Sequence, residues 1–319
     1  GEVIAAAAPF GLAPLSGSSP SVGVTGYTLG GGLGWLARAH GFAADSVLRA
    51  AVLTADGRHV TASPESHPDL FWALRGGGGG FGVVTGLEFR LYPVERVYAG
   101  FAYFPADSAA GTLRAYRDWT ADAPDALSTA LVLRRMPDDD GTPEPLRGRR
   151  VLMLKVLYAG DEAEGRRLLA PLWRTAGPAL LDETRTTSFA ATAMGGTPAR
   201  HLDLFDTLPD PAIDALVRAS AEATTIEIRH WGGAMGRPGP DAGPVSHRAT
   251  NLSVIVDTRV PGLADELRPY ANGGSFLNFL SDTTKTASAH TQADRARLRD
   301  VKRAYDPDTF FHLGHTPGA

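Results

Sequence analysis

Apolar positions in this chain recur with two different periods, and the switches between them outline its organisation. Val47 to Ala55 and Arg58 to Ala62 are short aliphatic runs on either side of Asp56-Gly57, a pair suited to the φ > 0 turn of a tight hairpin, so two antiparallel strands are expected. Ser66 to Leu74 groups Leu70, Phe71, Trp72 and Leu74 into the apolar side of a short helix. Val83 to Leu91 alternates Leu87, Phe89 and Leu91 with Glu88 and Arg90, the period of a half-buried strand, until Pro93 stops it. Further on, Phe101 to Phe104, Leu131 to Arg134, Val151 to Tyr158, Thr225 to His230 and Asn251 to Thr258 read as strands. Between them, Ala110 to Thr120, Asp161 to Trp173 and Pro211 to Ala223 have helical spacing. Such a mixture predicts an α+β protein whose antiparallel sheet is covered by helices on one face. Asp265 to Tyr270 and Gln292 to Tyr305 read as further helices, the last stopped by Asp306-Pro307. Residues 1–15 predict a short helix capped near Gly11.

Glycine breaks these patterns in two places. Gly23, Gly26, Gly30, Gly31, Gly32 and Gly34 crowd one stretch, and Gly76 to Gly80 with Gly82 form another; together they hold most of the excess in a total of 37 among 319 residues, against a usual share of about 7%. Glycine loses the most entropy on folding and adds nothing to a core, so this density needs a local reason: φ > 0, or a close approach by a neighbour. Leu33 to His40 is expected to form two helical turns closed by Gly41. The preceding glycines would then stand at a helix start, where unpaired N–H groups favour an anion. Both clusters are expected to wall one ligand cavity, although tight packing also explains glycines of this kind. The change of character at Pro93 and the return at Gly273 predict two domains: residues 1–97 joined by 272–319, and residues 98–271 between them.

With 31 Lys+Arg against 35 Asp+Glu the formal charge is -4, which leaves no basic footprint for nucleic acid. No apolar run approaches the ~20 residues of a membrane span. The absence of a targeting segment in this sequence favours the cytoplasm. Cysteine is absent, which excludes disulfides, thiolate metal sites and thioether attachment of a cofactor. No histidine pair has metal spacing beside a carboxylate, so no metal is expected. Gly77-x-Gly79-x-x-Gly82 matches the dinucleotide fingerprint in letters, but it follows a helix and opens a strand, the reverse of what that motif requires. In Thr225 to His230, Glu227 and Arg229 share one strand face while Ile226, Ile228 and His230 share the other. A carboxylate beside a cation is a candidate for acid–base work, and equally for a structural charge pair.

Taken together, the stretches Gly23-Val24-Thr25-Gly26-Tyr27-Thr28-Leu29-Gly30-Gly31-Gly32-Leu33-Gly34, His40-Gly41, Asp45, Asp69 to Gly78 and Phe81 to Thr85, followed by Arg229-x-x-Gly232-Gly233-Ala234, His247-Arg248, Asn278-Phe279 and Lys302-x-x-Tyr305-Asp306-Pro307-x-x-x-Phe311, occur in an order that resembles the berberine-bridge-enzyme-like FAD oxidases, with their p-cresol methylhydroxylase type of FAD-binding fold. The resemblance covers nearly the whole chain but not the whole family fold. The family's N-terminal segment, with the loop that clasps the pyrophosphate and the histidine that attaches to flavin, has no counterpart among these residues. The resemblance implies an incomplete FAD-binding domain plus a substrate domain. It puts Val22, Gly23, Thr25, Gly26 and Leu29 beside the isoalloxazine and Gly30 and Gly31 at the glycine-rich cofactor wall. Gly80, Gly82, Val83 and Val84 would lie toward the adenosine, and Asn278 close to the flavin. Glu227 and Arg229 would face the ring from the substrate sheet, Glu227 as the base.

Two departures stand out. Ser19 replaces the second attachment residue of bicovalent members, and Phe276 replaces a tyrosine base, which a phenyl ring cannot substitute. The expected function is FAD-dependent oxidation of an alcohol, sugar or amine carbon by hydride transfer to flavin N5, with dioxygen as acceptor and a small molecule as substrate. A non-catalytic fragment or a flavin-free small-molecule binder is the alternative. With the family's clasping loop missing from these residues, several charge-assisted hydrogen bonds at roughly 1.5–3 kcal/mol each are lost. The chain is therefore expected to bind FAD weakly and without a covalent bond. A stoichiometric yellow cofactor that survives acid precipitation would overturn this.

Overall fold

The computed structural model describes residues 1–192 and 194–315. They divide into two compact units. The first comprises Gly1–Pro93, Ala234–Arg248 and the described residues from Gly274 onward; the second comprises Val94–Gly233 and Ala249–Gly273. These limits differ from the expected 1–97, 98–271 and 272–319 at three points, the smallest being that residues 272–273 stay with the second unit, where the Asn272 N–H donates to Leu204 O. Residues 94–97 go with the second unit because the strand Arg96–Pro105 is already paired at its first residue, Arg96, opposite Ser188. Residues 234–248 go with the first because Arg248 forms an ion pair with Asp45 at 2.7 Å and Arg75 donates to the Asp241 carbonyl. This stretch is rich in Pro and Gly and has no period, so its attachment left no mark in the pattern.

In the first unit, β1 (Val47–Leu53), β2 (His59–Ala62) and β3 (Val83–Phe89) form an antiparallel sheet in the order β2-β1-β3. Gly57, at φ 80°, makes the expected hairpin turn. Ala50, Val52 and Ala62 pack with Leu70, Phe71 and Leu74 of the helix Pro68–Leu74 and with Leu298 and Val301 of the helix Gln292–Tyr305 in one core. The latter helix starts at Thr291, whose hydroxyl accepts from the Asp294 N–H at 3.1 Å. It stops where the Lys302 ammonium donates to Asp306, to Gly80 O at 2.6 Å and to Phe311 O at 2.8 Å. Leu33 to His40 does not form two turns: only Ala37–His40 is helical, closed by Gly41. Instead a helix occupies Val24–Leu29, inside the glycine cluster. Its β-branched and aromatic residues, together with Gly26, have poor intrinsic helix propensity, which concealed it.

The second unit is built on an eight-stranded antiparallel sheet of β4 (Arg96–Pro105), β5 (Leu127–Arg135), β6 (Arg150–Tyr158), β7 (Leu181–Asp182), β8 (Arg185–Ser188), β9 (His201–Phe205), β10 (Thr225–His230) and β11 (Leu252–Val256). Its order is β7-β4-β6-β5-β10-β11-β9, with β8 also on β4. Strand alternation gives it two faces. Ala102, Leu131, Leu154, Ile226, Ile228 and Val254 pack with residues of the helices Ala109–Thr120, Glu162–Ala176, Asp210–Ala219 and Leu263–Leu267 in one large core. Tyr103, Val132 and Met153 belong to a smaller apolar cluster on the opposite face. The short strands β7, β8 and β9 were not expected, because runs of two, four and five residues are too short to carry a clear period-2 signal. Among the described residues no helix is long and apolar enough to cross a membrane.

Asp306 is buried, and removing its cation leaves a carboxylate without compensation. Lys302→Met is expected to destabilise the first unit by about 3–5 kcal/mol, read by urea unfolding; a loss below about 1 kcal/mol would show that the two backbone carbonyls, not the ion pair, define this clamp.

Candidate functional site

The first glycine cluster divides into an open part and a packed part. Gly23 caps the Val24–Leu29 helix in an extended conformation, and no side chain caps the first turn. Gly23 and Gly26 are exposed, and a Cβ added to either would meet nothing within 4 Å. Beside Gly23 lies a cavity of about 350 Å³ whose wall includes Ser16, Ser19, Val22, Gly23, Tyr27 and Thr28; Gly26 is not part of that wall. Thr25 is half-buried on the same helix, and Leu29 points into the core.

Gly30 to Gly34 behave differently, because the chain's own groups press on them. Asn278 donates from Nδ2 to Tyr27 O at 3.1 Å and accepts from the Gly32 N–H at 2.8 Å. A Cβ on Gly30 would stand 2.3 Å from Asn278 Nδ2, and one on Gly34 2.1 Å from Ser16 O. Gly31 has φ +111° and abuts Phe276, which stacks on Phe42 with centroids 5.4 Å apart. Asn278 is therefore a strut of the loop, and Gly30 and Gly31 are explained by packing. Phe276 is 3% exposed and offers no proton acceptor.

The second cluster does not wall that cavity, contrary to expectation. It joins the first through Gly78 N–H to Leu29 O, 2.9 Å. Gly76 makes room for Val245, Gly77 for Ala73 O and Leu298, and Gly82 for Val52 and Leu53 O. Gly80 presents its carbonyl to Lys302. Val83 is exposed and Val84 half-buried at the start of β3. These glycines serve turns and close packing.

In the second unit, Glu227 and Arg229 lie on the sheet face away from the large core, both buried. Glu227 Oε2 accepts from Lys155 Nζ at 2.9 Å and from Thr197 Oγ1 at 2.8 Å. Burial alone raises a carboxyl pKa. Here the Lys155 and Arg229 charges and the two hydrogen bonds outweigh it, so the pKa of Glu227 is lowered and the group stays ionised. That makes it a weak proton acceptor, which counts against the role of base expected for it. Lys155 and Thr197 escaped sequence reasoning. The one available signal was a lone lysine inside the apolar run Val151 to Tyr158.

The residues present fit part of an FAD site. An open glycine surface, beside a cavity with hydroxyl groups in its wall, offers bare backbone for the close approach of a flat ring such as the isoalloxazine. No protein-family model matches the chain. The uncharacterized FAD-linked oxidoreductase YgaK of Bacillus subtilis is 27% identical over 345 residues, which take in 98% of this chain and 74% of that protein. The (R)-6-hydroxynicotine oxidase of Paenarthrobacter nicotinovorans is 45% identical over 102 residues, 32% of this chain and 22% of that protein. Among solved structures, BBE-like 1 of Physcomitrella patens matches with a TM-score of 0.80 at 20% identity, covering 96% of this chain and 72% of that one. The chain has the fold of the berberine-bridge-enzyme-like proteins. The relatives that match along nearly its whole length are named FAD-linked oxidoreductases, and the chain is shorter than they are.

Gly26 separates packing from binding. Gly26→Ala fills open space inside a helix, so it is expected to stabilise the FAD-free protein by about 0.5–1 kcal/mol. It is also expected to weaken FAD binding, measured by flavin fluorescence quenching, because the added methyl stands where the backbone is open. Unchanged FAD affinity would remove Gly26 from the cofactor site.

Proposed function

We propose that this protein oxidises a C–N or C–O carbon of a small molecule, with a neutral amine as the favoured substrate and dioxygen as the acceptor. When bound, FAD supplies the hydride acceptor, at N5. The first unit's part is to offer Val22, Gly23, Thr25 and Gly26 to the cofactor from a loop that Asn278 holds in place. By the resemblance, Glu227 and Arg229 belong to the substrate side.

The observation that carries the reading is the setting of Glu227, buried with Lys155 Nζ and Thr197 Oγ1 both donating to one carboxylate oxygen, which favours its ionised form. An alcohol must lose its hydroxyl proton as its carbon gives up hydride, and this requires a base. Neither Phe276 nor a carboxylate with a lowered pKa is suited to that task. A neutral amine gives an iminium by hydride loss alone and needs only orientation. An ionised Glu227 stabilises the positive charge that develops and, where the amine is primary or secondary, accepts its N–H. The oxidase name of the Paenarthrobacter relative, a nicotine derivative's enzyme, supports the amine.

The test reconstitutes the chain with FAD and mixes it anaerobically with (R)-6-hydroxynicotine and benzylamine as amine probes and glucose and benzyl alcohol as hydroxyl probes. The visible flavin band is expected to bleach with an amine and to return in air with release of hydrogen peroxide. Bleaching by the hydroxyl probes alone would overturn the amine assignment. No bleaching with any probe would favour the flavin-free or non-catalytic alternative.

A further inference from the structure

Lys155 is the only charged residue between Val151 and Tyr158. It sits on the sheet face away from the large core, with Phe101 opposite on one side and Ala130 on the other. Ala130 is in turn opposite Arg229, and Val132, two residues on, is opposite Glu227. The Lys155–Glu227 bond therefore spans the whole of β5, from β6 to β10, across the side of a strand that carries only Ala130 and Val132 there. Both partners are almost completely buried, at 6% and 2% side-chain exposure. Two donors converge on one oxygen, Oε2, and among the described residues these are the hydrogen bonds that Glu227 makes. Lys155 also reaches Gly195 O at 3.4 Å, so residues 195–197 are drawn in at the same point. A buried ion pair stabilises a fold no more than a well-packed apolar pair of the same volume. Stability therefore gives no account of why a lysine stands in this strand.

We propose that Lys155 is a positioning residue: with Thr197 it fixes Oε2 of Glu227 and balances its charge, so that Oε1 is left to accept an N–H or O–H of the substrate. This rests on the reading that Glu227 meets substrate. The groups that set its charge come from three places: Lys155 on β6, Arg229 on β10 and Thr197 on the segment before β9. Without Lys155, burial is no longer outweighed to the same degree, and the carboxyl shifts toward its neutral form, which no longer stabilises a cationic centre.

The test compares the full chain with Lys155→Met, Lys155→Arg and the double variant Lys155→Met/Glu227→Gln, all with FAD. The first readout is thermal stability between about pH 5 and 8. A carboxyl with a lowered folded pKa contributes stability above its unfolded pKa and loses it only as pH falls through the lower folded value, so Glu227 adds no slope to the parent in this window; His40 and His290, whose pKa values burial lowers, do add one, and the pH dependence of each variant is therefore read as its difference from the parent. A carboxyl with a raised folded pKa loses stability as pH rises, so Lys155→Met is expected to become more stable relative to the parent as pH falls, and the double variant to follow the parent's slope again. The second readout is flavin reduction with whichever amine or hydroxyl probe the parent oxidises. Lys155→Met is expected to raise KM about tenfold or more at pH 8, and Lys155→Arg to recover most of that loss. A pH dependence in Lys155→Met equal to the parent's, or an unchanged KM, overturns the proposal. If Lys155→Met does not fold, Thr197→Val, which removes the second donor to Oε2, is read in the same two ways with a smaller effect. A parent that reduces flavin with no probe removes the reaction and the substrate role of Lys155 together. Parent turnover with unchanged KM in the variant removes the Lys155 role alone.

Discussion

Close approach of side chains to a bare backbone governs the first unit. Between Gly30 and Gly34 the spaces where Cβ atoms would stand are taken by Asn278, Phe276, Ala43, Tyr27 and the Ser16 carbonyl. Any larger residue there would collide with the chain itself. This fixes the path of the segment after the Val24–Leu29 helix, and so fixes the open face of Gly23 and Gly26 that precedes it. The same glycine-rich stretch thus does two jobs: its second half is sealed from within so that its first half can remain bare. Asp45 extends the arrangement, accepting from the Phe42 N–H at 3.0 Å and from Arg248, which also lies over the Phe42 ring.

The second unit solves a different problem. Its sheet carries an apolar face for helices and an opposite face on which three charged side chains are buried among small and apolar ones. A carboxylate in such a place either takes up a proton or finds cations. The register does the second, by setting Lys155 and Arg229 on strands that flank Ala130. Glu227 consequently has a defined charge but a limited chemical repertoire.

Much of the fold was legible because its strands and helices are strongly periodic. The Asp56-Gly57 hairpin, the long strands of the sheet and the helix Gln292–Tyr305 each announce themselves locally. The Val24–Leu29 helix did not, since its residues favour other conformations and tertiary packing overrides them. Residues 234–248 did not, because an irregular segment has no period to read. For the site, the glycine density pointed to the right neighbourhood but could not sort open glycines from packed ones, since that depends on partners such as Phe276 and Val245 far away in sequence. The pairing of Glu227 with Arg229 was visible within one strand. Its balance with Lys155 was not, because a contact across three strands has no sequence spacing.

The Asn278 strut has a consequence for how the protein is made. Its partner Gly32 lies 246 residues earlier in the chain. At a synthesis rate of about 5–20 residues per second, the glycine segment emerges and then waits on the order of tens of seconds before the side chain that seals it exists. Lys302 and Asp306 arrive later still. The second unit closes at Gly273, before any of these are available. The nascent chain therefore has all of the sheet unit's residues while its glycine loop is still unpropped, and that loop is among the last parts of the molecule to take shape.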